Sequence, residues 1–254
     1  EAVKAELKEM VEATEILVND KHLQFPEHYI FLLRGSVEQL AASILYSDKL
    51  CELRKPKDTA AFFTYLEKQE QQEWIDDLNA RCTVLQNPTV SVCILDTGVT
   101  LANPLLNGVI SAANLGAVNP LWTNADTYPD AHGHGTPMAG LVVYGDSVEA
   151  LASEGNIEIL HQVESIKLIE TSQPHPPEIY GAVTQEAIYR AELLNPENNR
   201  VVCLAITSED GIGTGRPSSW SSAIDQILFG SVDEPNDKTI VCISAGNIQE
   251  DQWI

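Results

Sequence analysis

Four short candidate strands, most of them apolar, at residues 90–95, 164–169, 201–206 and 239–244, alternate with helical patterns at 135–144, 180–194 and 218–229. Apolar runs of four to eight residues without polar alternation read as strands buried on both faces, an environment that a parallel sheet covered by helices provides. Strand and helix in strict turn predict a doubly wound α/β arrangement from about Pro88 onward. Ligands of such sheets bind at the carboxyl ends of the strands, so the residues just after each run are the candidates for chemistry.

Before residue 85 the texture changes. Val3, Leu7, Met10, Val11 and Leu17 recur at helical spacing, and residues 28–34 read as a strand. Ser36 opens a helix to about Tyr46, with Glu38 and Gln39 in its first turn; residues 50–54 read as a strand. Residues 57–80 read as one long helix with Asp58 as N-cap. We expect a small α+β region over 1–85, a regulatory, propeptide-like or interaction module, followed by an α/β domain over 86–254. The charged stripe of Glu67, Lys68, Glu70, Gln71 and Glu73 reads as a solvated helix face, with partner binding as the alternative.

Charge narrows the partners. With 15 Lys+Arg against 37 Asp+Glu the chain carries a formal −22, which speaks against a nucleic-acid backbone or an anionic membrane surface. No apolar run reaches the length that spans a bilayer, and the opening residues lack the order of a signal peptide. The five cysteines form no CxxC pair, and Cys93, Cys203 and Cys242 sit inside Val/Ile-rich runs. They are expected to be buried free thiols of adjacent strands, in keeping with a reducing, cytoplasmic setting.

Two segments carry candidate chemistry. The first, Ile94-Leu95-Asp96-Thr97-Gly98, puts a carboxylate at the carboxyl end of a buried strand, where it serves a site or caps the following turn. The second, Asp130-Ala131-His132-Gly133-His134-Gly135-Thr136-Pro137-Met138-Ala139-Gly140, displays His134 at the start of a helix whose Ala139 and Gly140 permit close packing. His132 and His134, beside Asp126 and Asp130, also admit a metal-dependent hydrolase, although no third His or Cys falls at a ligand-like spacing. No calcium-type loop spacing is present, and no metal or other cofactor is expected.

Taken together, these segments resemble the subtilisin-like serine proteases. The chain has that family's apolar-Asp-Thr-Gly motif at Asp96 and its His-Gly-Thr-x-x-Ala-Gly motif from His134 to Gly140. Ile243-Ser244-Ala245-Gly246-Asn247 is similar to its Ala-Gly-Asn segment, and the resemblance covers roughly residues 88 to 254. The Asp-Thr-Gly triplet is shared with aspartic proteases, but those need two triplets on an all-β fold, which the helical patterns here do not supply. The resemblance implies a peptidase acting on peptides or proteins, with Asp96 orienting the imidazole, His134 as general base and then acid, and Asn247 as an oxyanion donor. It also implies that Ala205, Ile206 and Thr207 pair with an extended substrate and that Ser244 and Gly246 border it. Thr207 stands where relatives usually have Gly, and Cys203 where many have Asn. No Gly-Thr-Ser motif occurs in the 254 residues, so the nucleophilic serine is expected beyond Ile254, with the catalytic domain incomplete and this chain alone inactive. A missing C-terminal segment or a partner chain is expected to cover the sheet near residues 241–243. A non-catalytic module that holds a peptide or partner in the same cleft is the remaining alternative.

Overall fold

The computed structural model describes residues 16–44, 50–56, 59–126, 133–208, 216–230 and 238–246. The chain divides into two compact units, Glu1–Lys57 and Asp58–Ile254.

In the first unit, Leu17–Gln24 (β1) pairs antiparallel with Tyr29–Arg34 (β2), and Val37–Ile44 (α1) follows. Aromatic side chains suit such a ladder: the rings of His22 and Phe31 stack with centroids 5.2 Å apart. Ser36 caps α1 as its sequence suggests, its Oγ accepting from the Gln39 N–H while Gln39 Oε1 accepts from the Ser36 N–H. Leu17 does not continue a helical repeat. It pairs with Arg34 in the hairpin, strand pairing having prevailed over a sparse periodic pattern, while Val3, Leu7, Met10 and Val11 lie outside the described residues. Residues 50–54 form no strand; they are exposed and no described strand pairs with them.

The second unit opens with Ala61–Thr64 (α2) and Lys68–Arg81 (α3) in place of one long helix. The break falls at Glu67, which takes an extended conformation and forms a reciprocal capping box with Glu70, so that the charged residues start a new helix. Cys82–Val84 (β3) follows α3 directly. Then come Val90–Asp96 (β4), Leu115–Ala117 (β5), Gly135–Tyr144 (α4), Ser147–Ala152 (α5), Ile157–Ile159 (β6), Gln162–Lys167 (β7), Tyr180–Leu194 (α6), Asn199–Leu204 (β8), Ser219–Phe229 (α7) and Thr239–Ile243 (β9). The division between the units therefore falls earlier than residue 85. Leu78 of α3 is fully buried with Ala150 and Leu151, β3 pairs with β6, and Arg81 donates to the carbonyls of Ala150 and Gly155.

The main sheet has five parallel strands in the order β5-β7-β4-β8-β9, with helices on both faces, the doubly wound α/β arrangement expected from the sequence. Side-chain alternation along β4 sorts the two layers. Cys93 and Leu95, with Val202 and Leu204 of β8, pack on Ala187, Ile188 and Ala191 of α6 and on Ile224 and Ile227 of α7. Ile94 and Val163 pack on the opposite face against Ala139 and Val143 of α4. Among the described residues no helix is long and apolar enough to cross a membrane.

The three strand cysteines are free thiols on neighbouring strands, but only Cys93 is buried; Cys203 is half-buried and Cys242 exposed. Cys203 is in register with Ile94 and Cys242 with Cys203, which puts both on the α4 face. That helix packs on β4 and β7, while β9 is the sheet's outer strand among the described residues. Burial pushes the Cys93 thiol well above its ordinary range and raises that of Cys203 as well, the latter helped by the nearby Asp96 charge. A thiol reagent should therefore modify Cys51 and Cys242 first, Cys203 more slowly and Cys93 only on unfolding. A mass-spectrometric time course in which Cys93 reacts as fast as Cys242 would contradict this layering.

Candidate active site

Asp96 ends β4 two residues after Ile94 and so points to the same face, toward α4, whose N-cap is His134. The two side chains, 38 residues apart in sequence, meet with Asp96 Oδ2 2.7 Å from His134 Nδ1. The other carboxylate oxygen accepts from the Thr97 N–H at 2.7 Å. The Asp96 side chain is wholly buried, whereas the imidazole is 52 % exposed, so one edge of the ring is held by a buried carboxylate while the ring stays open to solvent. Burial pushes the Asp96 carboxyl above its ordinary value, against the lowering effect of the Thr97 N–H and of His134. A buried carboxylate on an accessible imidazole is an arrangement that fixes the ring's tautomer and stabilises its protonated form during proton transfer.

Glycine makes the approach possible. Gly98 turns the chain after Asp96 with φ +100°, where a Cβ would stand 2.6 Å from the Asn124 carbonyl oxygen and 2.8 Å from that of Ala125. At Gly135 a Cβ would fall on the carbonyl of Gly98, so the start of α4 and the β4 turn touch backbone to backbone. Gly140, in contrast, has open space where a Cβ would sit; close packing of α4 on the sheet falls to the fully buried Ala139 instead. We expect Gly135→Ala to push α4 off the turn at a cost of about 1–3 kcal/mol. Gly140→Ala should be neutral or stabilising by up to about 1 kcal/mol. Thermal unfolding of the two variants, with equal losses as the contrary result, checks this.

The remaining sequence candidates lie along the same sheet edge. Ala205, Ile206 and Thr207 follow β8, and Ser244 and Gly246 follow β9, with the Ser244 N–H donating to the Leu204 carbonyl at 3.1 Å. Gly246, at φ +91°, brings its backbone against Thr207: a Cβ there would be 3.5 Å from Thr207 Cγ2. Asn247, Asp130 and His132 lie outside the described residues. Among the described residues no three His, Cys, Asp or Glu side chains gather as metal ligands.

Two features of this edge are not signalled by any sequence motif. Beyond the ends of β7 and β8 lies a cavity of about 140 Å³ lined by Ile169, His175, Tyr180, Val183, Ile206 and Trp220, among others. His175 comes from the Ser-Gln-Pro-His-Pro-Pro stretch that reads as a plain loop, and its Nε2 is buried with no protein partner. The second feature is Asp126, which faces the Thr97 hydroxyl and the first turn of α4. The model of the subtilase family matches residues 87–253. No curated protein and no solved structure matches the chain.

Proposed function

The chain belongs to the subtilase family, a family of serine peptidases, and from that premise we propose that it carries the acid–base half of an endopeptidase site. The observation that supports this reading is the 2.7 Å contact between Asp96 and His134. In the proposed mechanism His134 takes the proton of a serine hydroxyl as that oxygen attacks the scissile carbonyl, then gives it to the departing amine. Asp96 holds the ring in the tautomer with Nδ1–H toward the carboxylate and stabilises the imidazolium. Asn247 donates to the oxyanion, an interaction worth on the order of 10²–10³ in turnover where such a donor has been removed. Ala205, Ile206 and Thr207 offer backbone groups to an extended peptide bordered by Ser244 and Gly246, and a substrate side chain enters the cavity beside Ile206.

The serine is proposed to come from a segment following Ile254, so the 254-residue chain alone hydrolyses no peptide. The experiment is a side-by-side assay of this chain and of a polypeptide continuing through a Gly-Thr-Ser segment, with His134→Ala in the longer one. Peptide hydrolysis by the longer polypeptide alone, lost with His134→Ala, is the expected result. Equal rates for the two lengths, or an unimpaired His134→Ala variant, would overturn the assignment; peptide binding without turnover in both would favour a non-catalytic module.

A further inference from the structure

Asp96 and His134 come from a strand and a helix with no covalent link nearer than 38 residues, so something other than the chain must hold them in register. The N-cap of α4 normally supplies a side chain that satisfies the helix's first amides. Here that position is His134, and its side chain makes no cap bond, its Nδ1 being engaged with Asp96 instead. The amides are satisfied from outside the helix. The Gly135 N–H donates to Thr97 Oγ1 at 2.9 Å, and the Thr136 N–H donates to Asp126 Oδ2 at 2.9 Å. The Thr97 hydroxyl in turn donates to Asp126 Oδ1 at 2.8 Å. One carboxylate thus joins the residue after Asp96 to the second residue after His134.

We propose that Asp126 is a positioning residue of the site: it serves as the missing N-cap of α4 and thereby frees the imidazole of His134 for Asp96. The inference rests on the acid–base reading of that pair. Asp126 is itself anchored by its neighbours. The Val99 N–H donates to the Asn124 carbonyl at 3.1 Å, and Asn124 Nδ2 donates to the Leu115 carbonyl at 3.0 Å. The wholly buried ammonium of Lys167 donates to the Ala125 carbonyl at 3.2 Å and pairs with Glu170 at 2.8 Å. Gly133 leaves room for the carboxylate, since a Cβ at that position would fall on it. A negative group beside the first turn of α4 also complements the helix dipole, but the bonds are the larger requirement. An amide keeps both contacts, its oxygen accepting from the Thr136 N–H and its NH₂ donating to Thr97 Oγ1, whereas a methyl keeps neither.

The test uses two readouts. In the 254-residue chain, the proton shared by His134 Nδ1 and Asp96 is observed as a downfield ¹H resonance, assigned by its loss in Asp96→Asn. In the polypeptide continuing through the serine, kcat and KM for a peptide are measured separately. Asp126→Ala should abolish or broaden the resonance and lower kcat about 10- to 100-fold with KM within about twofold, since misplacement of a base costs rate rather than binding. Asp126→Asn should restore the resonance and most of kcat. Thr97→Val, which cuts the same link from the other side, should reproduce the loss and decides the matter if Asp126→Ala fails to fold. A resonance and kcat unchanged in Asp126→Ala or in Thr97→Val would overturn the proposal while leaving the acid–base pair intact. An Asn variant as impaired as the Ala variant would overturn it in favour of a charge effect. Absence of any Asp96-dependent resonance in the parent would overturn the pair itself, and the proposal with it.

Discussion

Exchanging Asp96 for Asn in the polypeptide continuing through the proposed serine should lower kcat about 10⁴-fold while the fold persists. The magnitude is that seen when the orienting carboxylate of other serine hydrolases is replaced by its amide, which holds the imidazole in the wrong tautomer. Stability should move the other way or not at all. Burial raises the Asp96 carboxyl above its value in the unfolded chain, so the ionised form opposes folding. The group's effect on stability is therefore most favourable below the unfolded carboxylate value, about 3.9, and declines as the pH rises through the interval above it. An Asn at this position carries no such penalty. Relative to the parent, Asp96→Asn should be as stable or more stable at neutral pH, the difference narrowing as the pH falls toward about 4. Paired measurements of kcat and thermal unfolding across pH check both halves. Loss of activity accompanied by unfolding would contradict the account, because it would make Asp96 a structural group.

The largest stability effect is expected away from the site, at the ion pair between β7 and β8. Arg200 Nε lies 2.8 Å from Glu164 Oε2, with side chains 2 % and 0 % exposed, and Arg200 also donates to the other carboxylate oxygen and to the Asn195 carbonyl. Asn195 Nδ2 completes the set at 2.7 Å from Glu164 Oε1. Glu164→Ala leaves a guanidinium buried without its counter-charge, at a cost of about 3–5 kcal/mol. For an α/β unit of this size that corresponds to a fall in Tm of roughly 6–20 °C. Replacing both partners, as Glu164→Leu with Arg200→Met, should recover most of the loss, since removing the pair together leaves no orphan charge. A single Glu164→Ala variant within about 1 kcal/mol of the parent would contradict the reading of this pair as buried and coupled.

How far the sequence reached depends on where the physical information sits. Helix α6 is read to its ends because apolar periodicity runs unbroken from Tyr180 to Leu194 before Asn-Pro stops it. Strands β4 and β9 are read from their Val/Ile content, β7 and β8 begin two residues before the segments read for them, and β5 escapes, since Leu115-Gly116-Ala117 is three residues whose strand character comes only from pairing with β7. The break between α2 and α3 was not legible because Glu67 and Glu70 are good helix formers. Their capping box competes with continuation and ends the first helix before Glu67. At the site, Asp96 and His134 stand in motifs whose glycines announce tight backbone approach. Asp126 carries no such signal, because its role depends on where the loop after β5 brings it. The cavity is illegible for the same reason, its walls being drawn from the ends of β7 and β8 and from α6 and α7.

The decisive measurement is fluorophosphonate labelling of the polypeptide continuing past Ile254, with the modified residue located by mass spectrometry. The proposed mechanism requires an activated serine, so a single modified serine in the Gly-Thr-Ser segment is expected, with labelling lost in His134→Ala. No labelling, labelling that survives His134→Ala, or a label mapped within residues 1–254 would contradict the assignment of Asp96 and His134 as the acid–base half of a serine peptidase.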